Sequence, residues 1–214
     1  ALVAERAGDG WRAVSFAEAA QTSRRIATAL IERGVASVMA LSENSVDQAL
    51  LMLGAIRAGV PFCPVSPAYA LLSRDFDKLK QIVAIVRPGL VLAEGPERFE
   101  RARSAVEFAG AAFVSSVAGL AETAAGDLPE VTADKVAKIL FTSGSTGVPK
   151  GVINTHRMLA SNQAALGQVW TCLAERPPVM LDWLPWSHTF GGNQNLGLAI
   201  SYGGTLYIDD GRPT

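Results

Sequence analysis

Ile139-Leu-Phe-Thr-Ser-Gly-Ser-Thr-Gly-Val-Pro-Lys-Gly-Val-Ile-Asn154 is the stretch from which the rest of the chain can be read. An apolar strand, Val136 to Thr142, runs straight into Thr142-Ser143-Gly144-Ser145-Thr146-Gly147, a hexad with four hydroxyls and two glycines. Lys150 follows, and Gly151 to Asn154 reads as a second strand. Glycines let successive N–H groups converge on one anion. The hydroxyls add donors or meet a metal ion, and Pro149 restricts the chain that carries Lys150. At an effective dielectric near 20, a lysine about 4 Å from a phosphate charge gains on the order of 4 kcal/mol. A Ser/Gly hexapeptide alone could be a plain turn. The strand before it and the Pro-Lys-Gly after it favour an anion-binding loop. The spacing excludes three neighbouring classes. Gly147 is followed by Val-Pro-Lys, not by the Lys of a Walker loop. Ser143 stands where a nucleophile elbow needs Gly. The dinucleotide fingerprint is absent.

Working outward, helices and strands alternate. Ser15 and Glu18 form a capping box for a helix with Ala19, Ser23, Ile26, Ala27, Leu30 and Ile31 on its apolar face, ended by Gly34. Val38 to Leu41 reads as a buried strand. Ser45 and Gln48 repeat the capping signature for a helix to Ala58, stopped by Gly59. Val60 to Val65 is extended. Ser73 to Val86 is predicted helical, with Phe76, Leu79, Ile82, Val83 and Val86 facing inward. Leu90 to Ala93 and Ala111 to Val114 read as strands around a helix over Pro96 to Ala109. Residues 115–134 read as a surface connection with one short helix. Thr155 to about Thr171 is a helix, and Val179 to Leu184 and Thr205 to Ile208 are strands. Continuous apolar strands between amphipathic helices predict an α/β fold with parallel-type sheets flanked by helices. Sub-regions 1–114 and 135–214 are expected on either side of the connection.

Trp183 to Ile208 carries no formal charge, yet Pro185, Ser187, His188, Asn193, Gln194 and Asn195 would be costly in hydrocarbon. It reads as protein interior or site lining, not a membrane span. His188 sits there between Trp186 and Phe190. Alone it could be a core histidine, and the two aromatics core or pocket wall. His156 opens a helix, where a terminal or surface role outranks catalysis.

Composition narrows the function further. The 214 residues are 49% hydrophobic and 18% charged, which excludes disorder and supports a sizeable core. Nineteen basic against 20 acidic residues leave a net charge of −1, so no nucleic-acid partner is expected from a basic field. Two cysteines, Cys63 and Cys172, read as reduced thiols of a cytoplasmic protein. Two histidines make a His-rich metal site untenable. No signal peptide and no internal repeat are visible.

Thr142 to Gly151 resembles the phosphate-binding signature T/S-S-G-[ST]-T-G-x-P-K-G of the adenylate-forming superfamily: acyl-CoA synthetases, peptide-synthetase adenylation domains and luciferases. Leu53 to Pro61 resembles the helix-to-strand segment of that family. Leu184-Pro185-Trp186-Ser187-His188-Thr189-Phe190-Gly191-Gly192 resembles its L-P-x-x-H-x-x-G motif. Pro64 to Tyr69, Asp182 to Phe190 and Gly204 to Gly211 are most similar to feruloyl-CoA synthase-like aryl-CoA ligases.

The resemblance implies a two-step ligase. A carboxylate, aromatic and hydroxycinnamate-like such as ferulate, attacks the α-phosphate of ATP to give an acyl adenylate and pyrophosphate; coenzyme A then displaces AMP. By that resemblance Thr142, Ser143, Gly144, Ser145, Thr146 and Gly147 bind the nucleotide with Lys150. Thr146 is the hydroxyl nearest Mg²⁺, and His188 lies where carboxylate meets α-phosphate. The aromatic-Gly-x-T-E motif, a later ribose-binding Asp and a lid lysine have no counterpart. Residues 1–214 are therefore expected to be part of the large AMP-binding N-terminal domain without its C-terminal lid, inactive in isolation. Two other readings stand: an adenylation enzyme loading a carrier-protein thiol, and a non-catalytic nucleotide-binding fragment.

Overall fold

The computed structural model describes residues 1–142 and 147–209. Ser143, Gly144, Ser145 and Thr146, together with residues 210–214, lie outside the described residues.

Two sheets organise the chain. The larger joins β3 (Val38–Ala40), β4 (Phe62–Pro64), β5 (Leu90–Leu92), β6 (Ala112–Val114), β7 (Val136–Thr142) and β8 (Lys150–Thr155) in the order β6-β5-β3-β4-β7-β8. All neighbours are parallel except β7 and β8, an antiparallel hairpin at one edge. The smaller has the order β2-β1-β10-β9, from β1 (Val3–Ala7), β2 (Gly10–Val14), β9 (Val179–Asp182) and β10 (Thr205–Ile208). Here β1 runs parallel to β10 and antiparallel to β2. Both sheets draw strands from both sides of the 115–134 connection, and each is mixed. The expected α/β architecture is present, with antiparallel hairpins added at the edges. The β1–β2 hairpin escapes a reading by pattern because β2 is largely exposed and lacks an apolar face.

Pleating sends Val38, Ala40, Phe62, Leu90 and Leu92 to one face of the larger sheet and Met39, Cys63 and Val91 to the other. The first face is covered by α1 (Phe16–Glu32) and α2 (Val46–Ala58). The second is covered by α4 (Asp77–Val86) and α5 (Glu100–Ala105), with the short α3 (Ala68–Leu71) beside them. Burial on both faces is why these strands read as unbroken apolar runs.

The caps explain where the helices start. Ser15 Oγ accepts the Glu18 N–H at 3.2 Å while Glu18 accepts the Ser15 N–H at 2.8 Å, closing the box. Of the residues assigned to the apolar face of α1, Ile31 is instead exposed, one position beyond the buried stripe. Ser45 caps α2, but the Gln48 amide donates to the Ser42 and Glu43 carbonyls, so this box is half-formed. Gly54 sits where α1 crosses α2, and a Cβ there would collide with Ile26. The helix expected from Ser73 begins at Asp77. Ser73 Oγ and the Asp75 carboxylate take the Phe76 and Asp77 N–H groups, and Phe76 turns left-handed with φ 58° while its ring stays buried. The helix expected over 96–109 is a 3₁₀ turn (Pro96–Phe99) plus α5, because Val106 becomes extended and docks, with Phe108, into the core.

The connection 115–134 holds the short α6 (Ala118–Ala121) and is tied down. Asp47, buried in the first turn of α2, accepts Ser116 Oγ at 2.7 Å, the Val117 N–H at 3.0 Å and Arg12 Nη2 at 2.7 Å. Burial opposes its charge, but these donors outweigh it and hold the carboxyl below the usual range. The C-terminal third adds α7 (His156–Val169), capped by Thr155, then α8 (Cys172–Glu175), a π-helical turn (Phe190–Asn195) and α9 (Leu196–Ser201). No helix among the described residues is long and apolar enough to cross a membrane.

Candidate active site

The β7–β8 hairpin positions the glycine-rich loop. Thr142 pairs with Lys150 at its mouth, Leu140 with Val152, and Lys138 with Asn154. With a two-residue repeat, Thr142, Leu140 and Lys138 share one face with Lys150, Val152 and Asn154. Thr142 and Lys150 are exposed there, and Gly147 takes φ 78°, a left-handed conformation that suits glycine. Of the nucleotide-binding candidates, Thr142, Gly147 and Lys150 are thus placed at the loop mouth; Ser143, Gly144, Ser145 and Thr146 lie outside the described residues.

The second element is the turn after β9. Asp182 Oδ1 accepts the Leu184 N–H at 3.1 Å and Asn195 Nδ2 at 3.0 Å. Asn44, from the β3–α2 connection, donates to the Leu184 carbonyl at 2.8 Å and accepts the Trp186 N–H at 2.9 Å. The turn is held from both sides, and Trp186 is buried at its centre. Gly191 and Gly192 open the π-helical turn against its backbone: a Cβ on Gly191 would come within 2.5 Å of the Leu184 carbonyl oxygen, and one on Gly192 would strike that of Trp186. The final Gly of the L-P-x-x-H-x-x-G motif is thereby a packing requirement.

His188 stands at the outer end of this turn. Its N–H donates to the Pro185 carbonyl at 3.0 Å and its own carbonyl accepts the Gly192 N–H at 2.9 Å. The side chain is exposed. Phe190 and Trp183 are also exposed, at 55% and 58%, so only Trp186 among the three aromatics is core. His156, at the first position of α7, is half-buried with Nε2 unpartnered, and burial lowers its pKa.

One cluster joins the two elements. Lys138 Nζ, on β7, donates to the Gly192 carbonyl at 2.7 Å and to Asn193 Oδ1 at 3.3 Å. Asn193 Nδ2 donates to Asn154 Oδ1 at 3.0 Å, and Gln163 Nε2 of α7 donates to the Asn193 carbonyl at 2.9 Å. Lys138 is 4% exposed, and burial pushes its pKa down to about 7. The hairpin face that carries Thr142 and Lys150 is therefore also the face onto which the His188 turn is fastened. By pattern Lys138 was legible only as the one charge within an apolar strand, and Asn193 only as a polar residue in the charge-free segment.

Among the described residues no group of three or more His, Cys, Asp or Glu is placed to hold a metal ion. Magnesium usually keeps its waters and binds through a nucleotide's phosphates with few protein ligands, which suits a loop of hydroxyls. A cavity of about 680 Å³ is lined by Asn44, Gln48, Val65, Trp186 and Ser187 among others. None of Thr142, Gly147, Lys150 and His188 lines it. Cys63 is buried, its thiol pKa raised by burial, and Cys172 is exposed; both are free.

Known proteins resemble this chain throughout. The hybrid PKS-NRPS synthetase fsa1 of Fusarium sp. (strain FN080326) is 29% identical over 214 residues, spanning 96% of this chain and 5% of that protein. The crystal structure of ATP-bound MatB from Rhodopseudomonas palustris superposes with TM-score 0.81 at 26% identity, covering 99% of this chain and 42% of that one. McyG A-PCP complexed with phenylalanyl-adenylate shares the fold, with TM-score 0.81 at 24% identity over 97% of this chain and 34% of its own. The chain thus spans less than half the length of each. The AMP-binding enzyme family model matches residues 1–214, and the chain belongs to that family.

Proposed function

We propose that the full-length protein activates a carboxylic acid with ATP, forming an acyl adenylate and releasing pyrophosphate, and then transfers the acyl group to a thiol. The observation that carries this reading is the fastening of the His188 turn onto the hairpin face that bears Thr142 and Lys150. In this reading the anion-binding loop and the histidine share one support, and the AMP-binding family match supports a nucleotide as the ligand. The ATP-bound MatB structure supports ATP as that nucleotide.

In this reading the 142–147 loop and Lys150 hold the β- and γ-phosphates. The loop hydroxyls, Thr146 foremost, would hold magnesium, which would supply charge neutralisation for the leaving pyrophosphate. His188 orients the acid where its carboxylate oxygen attacks the α-phosphate; the α–β bridging bond breaks and its electrons leave with pyrophosphate. Such catalysis is mainly positioning and charge stabilisation. The acid we propose is aromatic and hydroxycinnamate-like, and the thiol that of coenzyme A, on the likeness of Pro64 to Tyr69 and Asp182 to Phe190 to aryl-CoA ligases. A carrier-protein thiol is the second reading, favoured by the peptide-synthetase relative.

The test is acid-dependent exchange of labelled pyrophosphate into ATP by the full-length protein, across aryl and fatty acids. Thioester formation is then assayed with coenzyme A and with a phosphopantetheinyl carrier. Exchange stimulated by aryl acids and a coenzyme A thioester are expected. Exchange with no acid overturns the activation chemistry, and transfer only to the carrier overturns the coenzyme A assignment.

A further inference from the structure

We propose that Lys138 is a positioning residue: with its cross-strand partner Asn154 it clamps Asn193, and so fixes the turn carrying His188 relative to the glycine-rich loop. The proposal rests on the reading of His188 and the loop as the two halves of the acid-activating site, and it deepens that reading.

Geometry carries the argument. Lys138 and Asn154 face each other in the hairpin register, four residues along β7 and β8 from the Thr142–Lys150 pair. At about 3.3 Å per residue this places the clamp roughly 13 Å from the loop mouth, too far for a direct role at the phosphates. Its contacts go elsewhere. Lys138 reaches the Gly192 carbonyl and Asn193 Oδ1; Asn154 receives Asn193 Nδ2; Gln163 satisfies the Asn193 carbonyl. The Asn193 amide is thus held at both ends by the hairpin while its main chain is held by α7. Gly192 connects directly back to His188, whose carbonyl accepts the Gly192 N–H. A shift of the π-helical turn would carry His188 with it, and the clamp opposes that shift.

Chemistry supports the choice of lysine. A buried ammonium is costly, and an apolar side chain would fill the same space without desolvating a charge. Lysine at this position supplies several donors on one flexible stem, enough to meet both the carbonyl of Gly192 and the amide oxygen of Asn193. An apolar residue would take away the side-chain donor that the Gly192 carbonyl and the Asn193 amide oxygen now share. π-helical turns are themselves rare and recur at functional sites, consistent with a segment whose position must be imposed from outside.

The experiment uses the full-length protein with Lys138→Met, Asn154→Ala and the double variant. Hydrogen exchange should accelerate about 10-fold or more at the amides of 188–196 in Lys138→Met, with amides of α1 and α2 unchanged. In the double variant the acceleration should fall short of the product of the single effects, because both act through Asn193. kcat for acid-dependent pyrophosphate exchange should fall about 10- to 100-fold while KM for ATP stays within about 2-fold. Asn154→Ala, at a half-buried position, should show the same pattern more weakly and keeps the test open if Lys138→Met does not fold. Unchanged exchange at 188–196, or faster exchange spread evenly over the whole chain, would overturn the clamp. The exchange arm reads the clamp even in a protein with no measurable acid activation, so the two readings fail separately.

Discussion

Gly192 lies directly against the main-chain carbonyl of Trp186: a Cβ built on it would strike that oxygen and come within 3.0 Å of the carbonyl carbon. Trp186 cannot yield, because it is buried and its N–H is held by Asn44 at 2.9 Å. The contact sets how closely the π-helical turn approaches the strand-to-turn segment, and hence where His188 emerges.

Gly192→Ala is therefore expected to destabilise the full-length protein by about 1–3 kcal/mol through overpacking. Gly119→Ala in α6, where a new Cβ meets nothing within 4 Å, should be neutral or slightly stabilising. Paired denaturant titrations of the two variants check this, and equal midpoints would contradict the packing argument.

Lys150→Ala should slow pyrophosphate exchange by roughly 10- to 200-fold, the loss of one charge-assisted phosphate contact worth about 1.5–3 kcal/mol. The side chain is exposed, so the melting temperature should hold. An unaltered exchange rate in a folded variant would remove the loop from the site.

His188→Ala should impair adenylate formation more than thioester formation from a supplied acyl adenylate. Because the imidazole is exposed, the substitution removes little packing, and stability should change by less than about 0.5 kcal/mol. Separate assays of the two half-reactions decide it; equal losses in both would place His188 outside the first step.

Lys138 makes stability depend on alkaline pH. Its pKa is near 7 in the fold and 10.5 when exposed, so between those values the unfolded chain holds a proton that the folded chain does not. The burial penalty is full below pH 7 and relieved as pH rises. Relative to Lys138→Met, the wild-type protein should gain up to about 1.4 kcal/mol per pH unit from pH 7.5 to 9.5. Urea titrations of both proteins across that range test it, and parallel pH curves would show that the lysine is not buried as described.

Glu94 acts in the opposite sense. Burial first, then the charges of Asp47 and Glu5, raise its pKa from 4.5 to about 7 against hydrogen bonds from Ser45 and Ser42. The folded state holds a proton that the unfolded state releases above 4.5. The stabilisation is full below pH 4.5 and is lost as pH rises through 7. Glu94→Gln should flatten this loss and be the more stable protein at pH 8, as thermal melts at pH 5 and pH 8 would show. A wild-type protein whose advantage over the variant grows between those values would refute it.

Local chemistry was legible wherever a short segment decides its own conformation. The Ser15–Glu18 box, the left-handed Gly59 stop and the whole of β7 were read at their observed places because caps, glycines and apolar runs act over a few residues. Legibility ended where another group competed with the helix. Ser73 and Asp75, only two or three residues away, diverted the start of α4 into a turn, and the distant core drew Val106 out of α5. The β1–β2 hairpin carried no apolar face to announce it.

The α/β alternation, the glycine-rich loop and the motif holding His188 are each written in contiguous residues. Tertiary structure alone decided that β1 pairs with β10, from opposite ends of the chain, because strand partners are chosen by which apolar faces can be buried together. It alone decided that His188 is exposed and that Lys138 is buried. Most of all, it placed Asn193 between Lys138, Asn154 and Gln163, residues 55, 39 and 30 positions away. A buried polar group must find its partners in space, and no local pattern records where those partners come from.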